Sequence, residues 1–174
     1  GKVGQNRDNQ GLSEYSIAAS ATAIYQWDPV KMAATGTIVV AGAGGAIMGS
    51  LNGVFYTDAS TSKPTWANHL NASNTATDIV GFVSDDPYER FEIQSDAALT
   101  AAEVGLNADI VYAAGSTPNY VSKVELDHSD LKTATAQLRV IGISKDPQND
   151  EAGAVDVNAV VIINEHFLKG TVGI

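Results

Sequence analysis

Val155-Asp156-Val157-Asn158-Ala159-Val160-Val161-Ile162-Ile163-Asn164 is the stretch on which the fold turns. Side chains alternate across an extended chain, so Val155, Val157, Ala159, Val161 and Ile163 share one face and Asp156, Asn158, Val160, Ile162 and Asn164 the other. The first face is apolar throughout, and the second becomes apolar at its middle. A strand of this kind is covered on both sides, by a second layer or by a partner subunit, which makes Val160 and Ile162 candidate contact residues. Arg90-Phe91-Glu92-Ile93-Gln94 alternates more simply, with Phe91 and Ile93 on one face and three polar side chains on the other, as in a strand with one solvated side.

The composition agrees with these two segments. Val and Ile together number 29 against 9 Leu, with 13 Thr, in a chain of 174 residues. Branched side chains fit a pleated sheet better than a helix. Short alternating segments closed by Gly, Pro, Asn or Asp are the punctuation of an all-β protein, either a β-barrel or a β-sandwich. Strands are expected at Ala21–Tyr25, Gly36–Val40, Val54–Thr57, Ile79–Ser84, Arg90–Ser95, Asp109–Ala113, Tyr120–Leu126, Leu138–Ser144 and Val155–Asn164. Thr100-Ala101-Ala102-Glu103 has the spacing of a capping box, and Gly105 follows as a stop, so one short helix is expected there. Ser60–Thr77, rich in Ser, Thr and Asn, is expected to be a loop held down by the indole of Trp66.

The chain divides into residues 17–174, a single β domain, and residues 1–16, an extended N-terminal arm. The arm offers only Val3, Leu12 and Tyr15 as large apolar groups, too few for a core layer. Gly1–Ser13 holds Lys2 and Arg7 against Asp8 alone, so it is the basic end of a chain whose net charge is −10. Lys2, Val3, Arg7 and Leu12 are therefore candidate contact residues, in an arm expected to order on docking, for example as an added edge strand.

A net charge of −10 and a pI near 4.5 argue against nucleic acid as a partner, because phosphate binding needs a basic surface. No cysteine is present, so no thiol chemistry or disulfide is expected. The longest apolar run is far short of the roughly 18 residues of a membrane span, and Gly1–Gln10 is too polar for a leader, so no membrane partner is expected.

The motifs that resemble chemistry have simpler structural explanations. Val39-Val40-Ala41-Gly42-Ala43-Gly44-Gly45-Ala46 looks like a strand entering a dinucleotide-binding turn, but the third small residue should fall at position 47, which is Ile47. A glycine-rich hairpin turn is expected instead. Asp127-His128-Ser129 contains the residue types of a hydrolase triad, yet triad members converge from separate elements, so a turn is expected. His69 and His166 have no second histidine at one-turn spacing, which disfavours zinc. Asp146-Pro147-Gln148-Asn149-Asp150-Glu151 lacks the Gly and the distal Glu of a calcium loop, and Asp85-Asp86-Pro87 reads as an Asx turn. No catalytic residue, cofactor or metal is expected, and the chain is expected not to be an enzyme.

Several phrases together carry a resemblance. They are Ala23-Ile24-Tyr25-Gln26-Trp27-Asp28-Pro29-Val30, Gly36-Thr37-Ile38, Gly81-Phe82-Val83-Ser84-Asp85-Asp86-Pro87-Tyr88-Glu89-Arg90-Phe91-Glu92-Ile93-Gln94, Val104-Gly105-Leu106-Asn107-Ala108-Asp109, and the ending Val160-Val161-Ile162-Ile163-Asn164-Glu165-His166-Phe167-Leu168. In this order they resemble the head decoration, or cement, proteins of tailed bacteriophages. The resemblance runs from about Tyr15 onward and implies a virion protein on the outer capsid surface, bound to the major capsid protein, with no catalysis. Trp27 departs from it, since Gly is expected before Asp-Pro-Val; a different turn, or a ring packed on a neighbour, would follow, and Trp27 joins the candidate contacts. A closed homo-oligomer, a trimer, suits lattice three-fold positions. A phage tail or baseplate protein, adhering through Trp27, Tyr56 and Trp66, is the alternative.

Overall fold

The computed structural model describes residues 11–145 and 155–170. The strands, in chain order, are β1 Leu12–Ser16, β2 Pro29–Met32, β3 Ile38–Val40, β4 Gly49–Thr57, β5 Pro64–Ala67, β6 Val80–Ser84, β7 Arg90–Gln94, β8 Asn107–Ala108, β9 Ile110–Val111, β10 Glu125–Leu126, β11 Leu138–Ile143 and β12 Asn158–Ile163. The chain is all-β. Among the described residues its helical parts are single 3₁₀ turns, one of them Ala101–Glu103, where the Glu103 carboxylate accepts from the Thr100 N–H at 2.6 Å and Gly105 follows at φ +101°.

Six strands form the first sheet, ordered β1-β6-β4-β2-β3 with β5 on the far part of β4; four form the second, ordered β7-β12-β11-β8; β9 and β10 make a separate ribbon. All these strand pairs are antiparallel, and neither sheet closes on itself, so the barrel form of the expectation is corrected. Each sheet instead buries one face beneath its own connections. Ile38, Leu51, Val54 and Val83 of the first sheet pack with Ile17, Ile24, Leu70 and Ile79 from the loops. Leu138, Val140, Val161 and Ile163 of the second pack with Ile110, Leu126 and Leu99.

The two cores are stitched by exchanged segments. Ala41 and Ile47, from the connection between β3 and β4, enter the second core, while Phe167, which follows β12, packs on the first. Gln137, fully buried, holds that connection by donating to the carbonyls of Gly42 at 2.9 Å and Gly45 at 3.0 Å. The glycine-rich stretch is thus no hairpin turn, because β3 and β4 flank β2 and do not pair with each other. Its glycines let the backbone expose the carbonyls a buried amide needs, with Gly44 and Gly45 at φ +74° and +80°.

Further expectations change: of the expected strand Tyr120–Leu126 only Glu125–Leu126 is strand. Leu12–Ser16 is not arm but strand β1, paired with β6 from Leu12↔Ser84 to Ser16↔Val80; Tyr15 turns inward and its hydroxyl donates to the buried Asp85 at 2.6 Å. Ala21–Tyr25 is not a strand, since it has only a single bridge, Ile24↔Leu70, and alternation without a neighbouring chain makes no ladder. Ser60–Thr77 contains β5, so it begins with a β4–β5 hairpin, and Trp66 lies 68% exposed on it and does not hold a loop down.

Candidate functional site

In the first sheet, Leu51, Val54, Gly81 and Val83 are buried beneath, so the alternate positions of β4 and β6 stand on the opposite, outer face. Opposed residues in neighbouring strands share a face. Phe55 is opposite both Trp66 and Val80, Phe82 is opposite Glu14, and Leu12 is opposite Ser84. The register therefore gathers Trp66, Phe55, Phe82, Val80 and Leu12 on one face. Trp66 tilts against Phe55 with centroids 4.8 Å apart and stacks on Phe82 at 5.1 Å. Such pairs contribute about 0.5–1.5 kcal/mol each beyond their buried area.

The rim of this aromatic face is acidic. Glu14 lies beside Phe82, Glu89 accepts from the Ser84 hydroxyl, and Asp78 accepts from the Thr57 N–H at 3.0 Å. The Thr57 hydroxyl and N–H hold the Asp78 carboxyl below its ordinary range, so it is ionised at neutral pH.

A second concavity lies beside β7. It is a cleft of about 1010 Å³ lined by β7, by residues Ser122–Glu125 and by Trp27. Trp27 is 57% exposed and its backbone has φ +69°, the left-handed region that glycine favours. The turn around it is fixed by the Trp27 N–H donating to the Leu51 carbonyl at 2.7 Å and by the Asp28 carboxylate accepting from the Tyr25 N–H at 2.8 Å.

The candidate contacts of the sequence separate accordingly. Leu12 joins the aromatic face and Trp27 the cleft. Val160 and Ile162 stand half-buried on the outer face of the second sheet, where Glu92 and Arg90 oppose them from β7 and Arg139 opposes Ile162 from β11; no described layer covers them. Lys2, Val3 and Arg7 lie outside the described residues, as does the Asp146–Glu151 run. Tyr56 is half-buried and packs against the first core, on the face of β4 opposite that of Phe55. Phe55 and Phe82 are the functional candidates that sequence reasoning missed. In Phe55-Tyr56 the outer aromatic adjoins an inner one, so the signal was the alternation about them, not their chemistry.

The histidines are spread apart. His69 stacks on Tyr120 at 3.8 Å, His128 Nε2 lies 2.9 Å from Glu103 Oε1, and His166 is buried with Nδ1 accepting from the Leu168 N–H at 3.1 Å. Burial, followed by the nearby Lys169 charge, pushes the His166 pKa down, so it is neutral. Ser129 donates to Asp127 within a single turn, as expected of Asp127-His128-Ser129. The Asp86 carboxylate accepts from the Tyr88 N–H at 2.9 Å, the expected Asx turn. Among the described residues no three His, Asp or Glu side chains come together as a metal site, and no helix is long and apolar enough to cross a membrane.

Comparison of the chain with protein families, with curated proteins and with solved structures finds no match.

Proposed function

We propose that the protein is a non-enzymatic decoration protein of a tailed-bacteriophage head, binding the outside of the major capsid protein lattice and bridging its subunits. The observation that carries this reading is the aromatic face on which the exposed Trp66 packs against the half-buried Phe55 and Phe82, with carboxylates beside it. Contiguous exposed apolar surface marks a binding site, and Trp is the residue type most enriched among those that carry binding energy. An acidic rim on a chain of net charge −10 favours a partner with basic groups around an apolar patch and disfavours nucleic acid. The phrases that resemble phage cement proteins supply the identity of that partner.

The physics of cementing suits such a surface. A contact spanning two capsid subunits adds buried area that must be lost before they separate, and it stabilises only the assembled state. The proposed assembly is a closed homo-oligomer, a trimer at lattice three-fold positions. The test is decoration of undecorated capsids by Trp66→Ala. Because the indole is mostly exposed, the variant should fold and lose about tenfold or more in capsid affinity, as interface tryptophans do when truncated. Unchanged affinity would remove the aromatic face from the contact.

A further inference from the structure

The two cores are joined where two segments cross between them. Ile47, on the way from β3 to β4, enters the second core, and Phe167, just past β12, packs on the first. The segments meet in a parallel bridge, Ile47↔His166: the Ile47 N–H donates to the Glu165 carbonyl at 2.9 Å, and the Phe167 N–H donates to the Ile47 carbonyl at 2.9 Å. His166 lies in this joint only 2% exposed, and its side chain caps the 3₁₀ turn Phe167–Lys169, with Nδ1 accepting from the Leu168 N–H at 3.1 Å. In the neutral ring Nε2 then carries the proton, and it is buried without a hydrogen-bond partner, close to the Met48 backbone.

We propose that His166 is an acid-released latch: while neutral it fastens the Phe167–Lys169 turn and with it the joint between the two sheets, and on gaining a proton it lets both go. A neutral imidazole accepts through one nitrogen, whereas an imidazolium donates through both. The proton goes onto Nδ1, the one lone pair the ring can offer, so Nδ1–H meets Leu168 N–H donor against donor and the cap is lost. The charge would also be buried beside an Nε2–H that is already unpartnered. The charged groups around the ring divide. Lys169, on its own turn, opposes a proton; Asp85 and Asp86, from the connection between β6 and β7, favour one, and Asp85 also accepts from the Tyr15 hydroxyl at 2.6 Å. Burial outweighs them, so the latched ring stays neutral below the ordinary value near 6.5, where a released one is charged. The latch is therefore whole above pH 6.5 and weakens as pH falls below it. Release frees Phe167 from the first core and Lys169 from the Tyr88 ring, over which its Nζ stands at 4.6 Å. Gln137 does not titrate and still holds the Gly42 and Gly45 carbonyls, which confines the loosening to the joint. None of this depends on what the protein binds.

The test is nuclear magnetic resonance of the full chain between about pH 7 and about pH 5, a window above the ordinary range of carboxylates. The ring signals of His166 report its protonation. Hydrogen exchange, taken relative to an unstructured chain at each pH, reports the Phe167 and Leu168 amides. Their protection should fall about tenfold across the window, as expected when release takes up one proton, while the β12 amides, paired on both sides, keep theirs. His166→Asn should abolish the pH dependence, since Asn is a preferred capping residue that accepts through Oδ1 and has no charge to gain. Protection at Phe167 and Leu168 that is unchanged across the window, an equal fall at β12, or an equal fall in His166→Asn would overturn the inference.

Discussion

Trp27 is held at φ +69°, where a residue with a Cβ pays about 1–2 kcal/mol and glycine does not. The left-handed backbone found here is one that glycine adopts at no steric cost. We therefore expect Trp27→Gly to raise stability by about 1 kcal/mol, or roughly 2–4 °C in Tm, whereas Trp27→Ala should not, since it keeps the strain and loses the ring. Thermal unfolding of the two variants checks this; a fall in Tm for Trp27→Gly would show that ring packing outweighs the strain. The neighbouring Asp28 is fully buried, and burial raises its pKa, partly offset by the Ser122 hydroxyl and the Tyr25 N–H. A carboxyl raised in the folded state is penalised once ionised, so its contribution worsens as pH climbs from its ordinary value near 3.8 through the raised one. Asp58 is the opposite case: the Ser60 hydroxyl and the Thr61 N–H hold it down to about 2. The stability it contributes is present above pH 3.8 and lost as pH falls toward 2. Comparing Tm against pH for Asp28→Asn and Asp58→Asn with the unaltered chain should give differences of opposite slope.

Elements differ in how plainly the sequence declares them. Phe91 and Ile93 alternate with charged residues, and β7 lies where that pattern places it; the core face of β12 likewise follows Val157, Ala159, Val161 and Ile163. The Thr100–Glu103 turn follows from capping chemistry, which is local. What was not legible depends on neighbours far along the chain. Strand β2 begins at Pro29, which is tolerated only because it is the first residue, and β5 is made of residues that read as loop until β4 pairs with it. Strand β1 has few apolar groups and is held by the β6 ladder and the Tyr15–Asp85 bond. The aromatic face was hidden for the same reason, because Trp66, Phe55 and Phe82 meet only through register across three strands. The role of β1 changes what truncation should do. Removing Gly1–Ser16 should lower Tm, because it strips an edge strand and leaves β6 exposed. Tyr15→Phe should cost about 1 kcal/mol, the net worth of a typical intramolecular hydrogen bond, measured by denaturant unfolding. An unchanged Tm on removing Gly1–Ser16 would return those residues to the status of a dispensable arm.

At the scale of the molecule, two open sheets, each with its own core, present surfaces in more than one direction: the aromatic face on one sheet, Val160 and Ile162 on the other, and the cleft at β7. A protein that bridges subunits needs such separate contacts, since one patch binds only one neighbour. A net charge of −10 sets mutual repulsion against the association of free copies, so contacts between them must offset it. The central claim is tested most directly by cryo-electron microscopy of capsids reconstituted with the purified protein, alongside intact virions. The account predicts trimeric density on the outer surface of the head, centred at three-fold positions, with the Trp66 face against the major capsid protein. Density confined to the tail or baseplate, or heads left bare at saturating protein, would contradict it.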